Sequence, residues 1–171
     1  MTTRNIVVVP YDENWKLRFE EIAGELREVL GRLALTIEHV GSTSVPGLAA
    51  KPIIDIDVVI EDESKLQAVI ESLAKIGYQY EGNLGIPGRE AFGYEGKTHL
   101  MEHHLYVCPK DSSELRRHLS FRDYLRAHPN AVLEYSRIKE EAARLYPHEI
   151  DGYINHKGTV IEKIYREIGL V

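Results

Sequence analysis

The chain has one cysteine, Cys108, in 171 residues. An intrachain disulfide and an all-cysteine zinc site are therefore excluded, which fits a reducing compartment. It has no surplus of positive charge: 21 Lys and Arg stand against 27 Asp and Glu, a formal charge of −6. A general attraction to nucleic acid is not expected, because polyanion binding draws on clustered cations, and any phosphate contact has to be local. No apolar run is long enough to cross a bilayer. The opening residues Met1–Asn5 lead into Ile6–Pro10, too short for a signal core. A cytoplasmic location without membrane contact is the expectation. With no repeat and no low-complexity tract, 1–171 reads as a single domain with room for a substantial core.

Periodicity supplies the elements. Trp15, Leu17, Phe19, Ile22, Leu26, Val29 and Leu30 recur at roughly helical spacing and Gly31 is a plausible stop. Leu35–Val40 alternates like a strand, and Gly41–Gly47 is loop. Ile53–Ile60 is β-branched and short, so a central strand is predicted. Leu66, Val69, Ile70, Leu73 and Ile76 mark a second helix, ended by Gly77. Tyr78–Tyr80 reads as a short strand, the glycine-rich 81–97 as a long loop or hairpin bordering a site, and Thr98–Cys108 as a further strand. Ser112 or Ser113 caps the first of three C-terminal helices, 114–127, 131–146 and 149–168, separated at His128-Pro129-Asn130 and Pro147. This order predicts an α+β fold: a mixed sheet flanked by helices, with 112–171 as a C-terminal helical layer.

Within Ile53–Ile60 two charges demand an explanation. Asp55 and Asp57 are two apart, so a strand projects both carboxylates from one face. Side by side they repel, and each raises the other's proton affinity unless a cation compensates. Magnesium, or manganese in its place, suits such hard oxygen donors, keeps its waters and completes its shell with substrate phosphates. An isolated Asp-x-Asp is more often a solvated or salt-bridged pair. Here it follows Gly41-Ser42, a turn after a strand whose bare backbone and hydroxyl can approach a phosphate.

The block from Val40-Gly41-Ser42-Thr43-Ser44-Val45-Pro46-Gly47 through Lys51-Pro52-Ile53-Ile54-Asp55-Ile56-Asp57-Val58 resembles the GrpB family. The likeness continues through His103-His104-Leu105-Tyr106-Val107, Phe121-Arg122-Asp123-Tyr124-Leu125-Arg126, Pro129, Tyr135, Tyr153 and Lys157. That family is grouped with the nucleotidyltransferase-like fold, and its members occur alone or fused to dephospho-coenzyme A kinase. The resemblance implies a phosphate turn at Gly41 and Ser42, a metal pair at Asp55 and Asp57, and a phosphate-reaching helical lysine at Lys157. Lys51 is a weaker phosphate candidate, and a functional link to dephospho-coenzyme A kinase is a further implication.

Active nucleotidyltransferases often add a third carboxylate from a neighbouring strand. Strand parity puts Glu102, His104 and Tyr106 on one face of Thr98–Cys108 and His103 on the other. Glu102 or His104 could supply the third ligand or the base, with His104 slightly ahead, and His103 takes that role if the site lies on the opposite face. A zinc site from His99, His103 and His104 is disfavoured, because strand residues four apart are too distant for one metal.

Arg116, Arg117, His118, Arg122, Arg126 and His128 form a basic cluster on one helix. Its ordinary reading is a solvated face. Arg122 and Arg126, one turn apart, are the candidates to receive phosphate. Tyr78, Tyr80, Tyr94, Tyr106, Tyr124 and Tyr153 offer rings on which a base could stack, although most such rings belong to core or rim, and Tyr153 is the one assigned to substrate contact. The expected activity is metal-dependent transfer of a nucleoside monophosphate from a nucleoside triphosphate to an acceptor that the sequence does not identify. The alternatives are a catalytically inactive nucleotide- or phosphometabolite-binding module, or an accessory protein of coenzyme A metabolism.

Overall fold

The protein is described here by a computed structural model covering residues 5–170. Met1–Arg4, which entered the reading of the N-terminus, lie outside the described residues, as does Val171. Five strands, β1 (Thr36–Val40), β2 (Ile54–Ile60), β3 (Tyr78–Gly82), β4 (Glu90–Tyr94) and β5 (His103–Pro109), form one sheet in the order β1-β2-β5-β4-β3. β2 runs parallel to β5 and all other pairings are antiparallel. The helices are α1 (Asn14–Leu30), α2 (Leu66–Ala74), α3 (Ser113–Ala127), α4 (Pro129–Leu145) and α5 (Ile150–Glu167). The α+β mixed sheet and helical C-terminal layer expected from the sequence are therefore observed.

Alternation in β2 divides the molecule. Ile54, Ile56, Val58 and Ile60 are buried with Trp15, Phe19, Ile22 and Leu26 of α1, Val69 and Leu73 of α2, and Leu105 and Val107 of β5. Each fully buried aliphatic side chain there contributes roughly 1.5–3 kcal/mol. On the other face, Val59 and Cys108 pack under Leu115 of α3. Asp55 and Asp57 share that second face, so parity alone delivers both carboxylates to the space between the sheet and the C-terminal helices.

The helical layer also grips the chain that follows β1. Val45 and Leu48 are buried with Leu125, Val132, Tyr135, Val160 and Ile164, so α3, α4 and α5 all contribute to their seat. The Ala49 amide donates to Ser136 Oγ of α4 at 3.0 Å. The loop predicted at Gly41–Gly47 contains a single 3-10 turn, Ser42–Ser44.

Several boundaries moved: β3 runs on to Gly82, and the stretch 81–97 contains β4 as the return strand of a hairpin. Residues 98–102 are not strand: β5 begins at His103, whose amide donates to Tyr94 Oη and whose Nδ1 bonds the Met101 carbonyl. Leu100 and Met101 still pack on the main core, from a turn closed by the Leu100 amide on the Lys97 carbonyl. Pro129 opens α4 as its first residue instead of lying in a longer break, the position where a missing amide costs nothing. Ser112, one of the two candidates, is the cap of α3; its Oγ accepts from the Leu115 amide and donates to the Gly88 carbonyl.

Candidate active site

Register brings the candidates together. Asp55 is paired with Val40 of β1 and His104 of β5, and Asp57 with Glu38 and Tyr106. Paired residues share a face, so Asp55, Asp57, His104 and Tyr106 form one patch beside the turn that ends β1. Gly41 opens that turn with φ 73° and ψ −174°, a conformation essentially confined to glycine. A Cβ built on Gly41 would fall into the Asp55 carboxylate. The glycine thus lets the turn close directly onto the first aspartate. Ser44 Oγ donates to the Gly41 carbonyl at 2.5 Å and holds the turn shut.

The two aspartates differ. Asp55 is half-buried and accepts a hydrogen bond from His104 Nδ1 at 3.0 Å. Asp57 is fully buried; its Oδ2 accepts from His118 Nδ1 at 2.6 Å, and its Oδ1 has no partner. Desolvation raises the Asp57 pKa, Asp55 adds to that, and His118 opposes it. The bond to Asp55 raises His104, outweighing its burial. Burial works against a charged His118, yet its hydrogen bond and attraction to Asp57 carry its pKa above the ordinary value. His118 had been read only as part of a basic helix face.

A basic basin adjoins this patch. A cavity of about 230 Å³ is lined by Ser42, Lys51, Asp55, His104, Lys139 and Lys157, among others. Lys139 is 2% exposed and donates to Ser42 Oγ at 2.6 Å. Burial, then the charges of Lys157 and Lys51, drive its pKa well below the ordinary lysine value. Burial and Lys51 lower Lys157 to about 8. Three ammonium groups sharing one small space repel one another, an arrangement suited to a multiply charged anion. Lys139 was absent from the sequence-based candidates, although a signal existed. It occupies the buried stripe Val132, Tyr135, Lys139, Ala142 of α4, where a lysine is out of place without a task.

The remaining candidates are placed as follows. Tyr153 is fully buried among Ile6 and Ala142, so it offers no surface to a substrate, contrary to expectation. The Lys51 and Lys157 ammonium groups instead lie 5.3 and 4.9 Å from its ring centroid, and the ring orients them. Arg122 and Arg126 are engaged with protein rather than left free for phosphate. Arg122 NH1 donates to Glu38 and to the His39 carbonyl, and Arg126 grips the Ser44 carbonyl with Nε and NH2 at 3.1 and 2.9 Å. They pin α3 to β1 and the turn. Glu102 is exposed beyond the start of β5 and acts on His104 through charge, while its backbone carbonyl accepts from the Ile54 amide. His103 points into the core, bonded to Tyr78 Oη at 2.7 Å, and His99 pairs with Glu25 at the surface. The three histidines do not converge. Among the described residues, no group of three or more His, Cys, Asp or Glu side chains is arranged to hold a metal.

The mixed sheet backed by a helical layer, with the glycine-serine turn closing onto the Asp-x-Asp strand, is a nucleotidyltransferase-like fold. The magnesium-GTP complex of the Cid1 poly(U) polymerase superposes on 77% of this chain and 42% of its own, with a TM-score of 0.54 at 13% identity. That likeness shows the fold. The family model described as GrpB protein matches residues 5–167, and the chain belongs to the GrpB family. The crystal structure of GrpB from Enterococcus faecalis is 37% identical, with 95% of this chain and 96% of that one covered and a TM-score of 0.82. The UPF0157 protein YqkA of Bacillus subtilis is 37% identical over 93% of this chain, which spans 46% of YqkA. A dephospho-CoA kinase of Mycolicibacterium paratuberculosis is 26% identical over 97% of the chain, which spans 48% of that protein. The chain thus spans about half the length of these two relatives. Among the described residues, no helix is long and apolar enough to cross a membrane.

Proposed function

We propose that this protein is a magnesium- or manganese-dependent nucleotidyltransferase, acting as a single domain over 1–171, that moves a nucleoside monophosphate from a nucleoside triphosphate to a separate acceptor. The observation that carries the reading is the lysine basin built against Asp55 and the Gly41-Ser42 turn. Lys51, Lys139 and Lys157 bind the triphosphate, and Ser42, oriented by Lys139, faces it at the mouth of the turn. Asp55 and Asp57 would hold the cation, a donor set that fits: two hard carboxylates, one carrying a buried oxygen without a partner. When bound, the ion neutralises charge on the phosphates during displacement. β5, His103–Pro109, carries no third carboxylate, so the two aspartates would be the ion's carboxylate ligands from the sheet.

In the transfer, an acceptor oxygen forms a bond to the α-phosphorus and the bond from that phosphorus to its bridging oxygen breaks. Pyrophosphate leaves with the electron pair, and the acceptor's proton passes to His104 or to water. His104 and His118 orient the carboxylates, and the protein's main contribution is positioning and charge neutralisation. The test is incubation with labelled nucleoside triphosphates, magnesium and cell extract, comparing wild type with Asp55→Ala and Asp57→Ala. Labelling of an acceptor by wild type alone supports the reading, and equal labelling by all three defeats it.

A second reading, a binding module without catalysis, draws on the opposite feature. Each aspartate is already paired with a histidine, and β5 sets His104 and Tyr106 opposite the aspartates instead of a carboxylate. Calorimetric nucleotide binding without pyrophosphate release would favour it. The likeness to a dephospho-CoA kinase supports a place in coenzyme A metabolism, as an accessory protein, under either reading.

A further inference from the structure

Asp55 belongs to the walls of two cavities that share no other residue. One is the lysine basin. The second, about 230 Å³, is lined by Tyr106 of β5, Phe121 of α3, Tyr165 of α5, Val40, His118 and Arg89. Its chemistry is different. Among the described residues, three aromatic rings and the Val40 side chain line it together with Gly41, Asp55, His118 and Arg89, and Arg89 supplies a guanidinium. The Arg89 guanidinium lies over the Tyr106 ring, 4.2 Å from the centroid, and its Nε is buried without a hydrogen-bond partner. A buried donor stripped of water and left unpaired calls for an acceptor that the protein itself does not provide.

We propose that this second cavity is the acceptor pocket, and that the acceptor is a compact organic acid whose ring-sized body lies among Tyr106, Phe121 and Tyr165 and whose carboxylate pairs with Arg89. An apolar cavity of about 150 Å³ accommodates a benzene ring, so 230 Å³ takes one ring with its polar substituents. One planar, stacked guanidinium matches a single carboxylate, whereas the three lysines next door match a polyphosphate. Asp55, common to both walls, is where the two substrates meet. The acceptor's hydroxyl oxygen takes the nucleotidyl group there, losing its proton as pyrophosphate departs. This inference rests on the transfer reading of the lysine basin.

The test uses 4-hydroxybenzoate and its neutral counterpart 4-hydroxybenzamide as probes, with binding followed by ligand-observed NMR and calorimetry. Magnesium with a non-hydrolysable ATP analogue is titrated separately into the same proteins. Wild type is expected to hold the acid at least tenfold more tightly than the amide. Arg89→Met erases that preference and keeps nucleotide binding, Arg89→Lys retains part of the preference, and Lys157→Ala loses nucleotide while still binding the acid. Equal binding of acid and amide, no binding of the acid, an unchanged preference in Arg89→Met, or displacement of the acid by the nucleotide analogue would each overturn the pocket. Loss of nucleotide binding in wild type with acid binding intact would overturn the basin alone.

Discussion

Replacing Gly41 by alanine tests whether the turn and the first aspartate are built as one unit. Two separable costs follow from the geometry. With φ 73° and ψ −174°, any residue bearing a Cβ pays about 1–3 kcal/mol of backbone strain. The new methyl also overlaps the Asp55 carboxylate, an overpacking of about 1–3 kcal/mol. Gly41→Ala is therefore expected to destabilise the fold by about 2–6 kcal/mol. In an Asp55→Ala background the carboxylate is gone and the nearest atom is the position 55 Cβ, at 3.0 Å. Most of the steric cost then disappears and the backbone cost stays. Urea denaturation of wild type, both single variants and the double variant yields the coupling directly, expected at about 1–3 kcal/mol. If Gly41→Ala costs the same in both backgrounds, the carboxylate does not rest against the turn and the reasoning fails.

His39 gives a pH prediction. It is buried, stacked on Phe19 at 4.7 Å and bonded to Thr43 Oγ1 at 2.9 Å, and burial lowers its pKa to about 4. Between pH about 4 and about 6.5 the unfolded chain binds the extra proton, so stability is full above that window and falls through it by about 3 kcal/mol. His39→Gln should flatten this part of the stability profile in denaturation experiments, and an unchanged slope would refute the assignment. Lys139→Met exchanges a buried cation for an apolar side chain of similar size. We expect unchanged or higher stability at neutral pH, with triphosphate binding by calorimetry weakened at least tenfold, about 1.4 kcal/mol. A fold weakened by more than about 2 kcal/mol with nucleotide affinity intact would make Lys139 structural instead. Ser112→Ala removes both the cap of α3 and a tie to the Gly88 carbonyl, and thermal or urea melts should show a loss of about 1–2 kcal/mol. A loss indistinguishable from zero would show that neither bond stabilises the fold.

The legible parts of the sequence were those governed by local periodicity. Alternation in Ile53–Ile60 placed both aspartates on one face, and the same rule correctly separated His104 from His103. Period-two reading failed where apolar residues pack from a turn: the adjacent Leu100 and Met101 fall within the expected strand Thr98–Cys108 yet precede β5. The site was half legible. Gly41, Ser42, Asp55 and Lys51 lie close in sequence, and Lys157 entered through family resemblance. His118 and Arg89 reach one cavity beside Asp55 from α3 and the loop before β4, and Lys139 reaches the other from α4; this placement depends on topology that no local pattern encodes. Tyr153, Arg122 and Arg126 entered as substrate contacts, and the structure engages them with Lys51 and Lys157, the His39 carbonyl and the Ser44 carbonyl. Their side chains support the residues that face the cleft.

Nucleotidyl transfer at this site requires Asp55 and Asp57 to hold one divalent ion jointly beside a bound triphosphate. Manganese binding followed by electron paramagnetic resonance, with a non-hydrolysable ATP analogue present, tests it most directly when wild type is compared with Asp57→Asn, which keeps shape and an acceptor for His118. Wild type should bind a protein-held ion in a nucleotide-dependent manner and Asp57→Asn should lose it. The same manganese signal in both proteins would contradict the account.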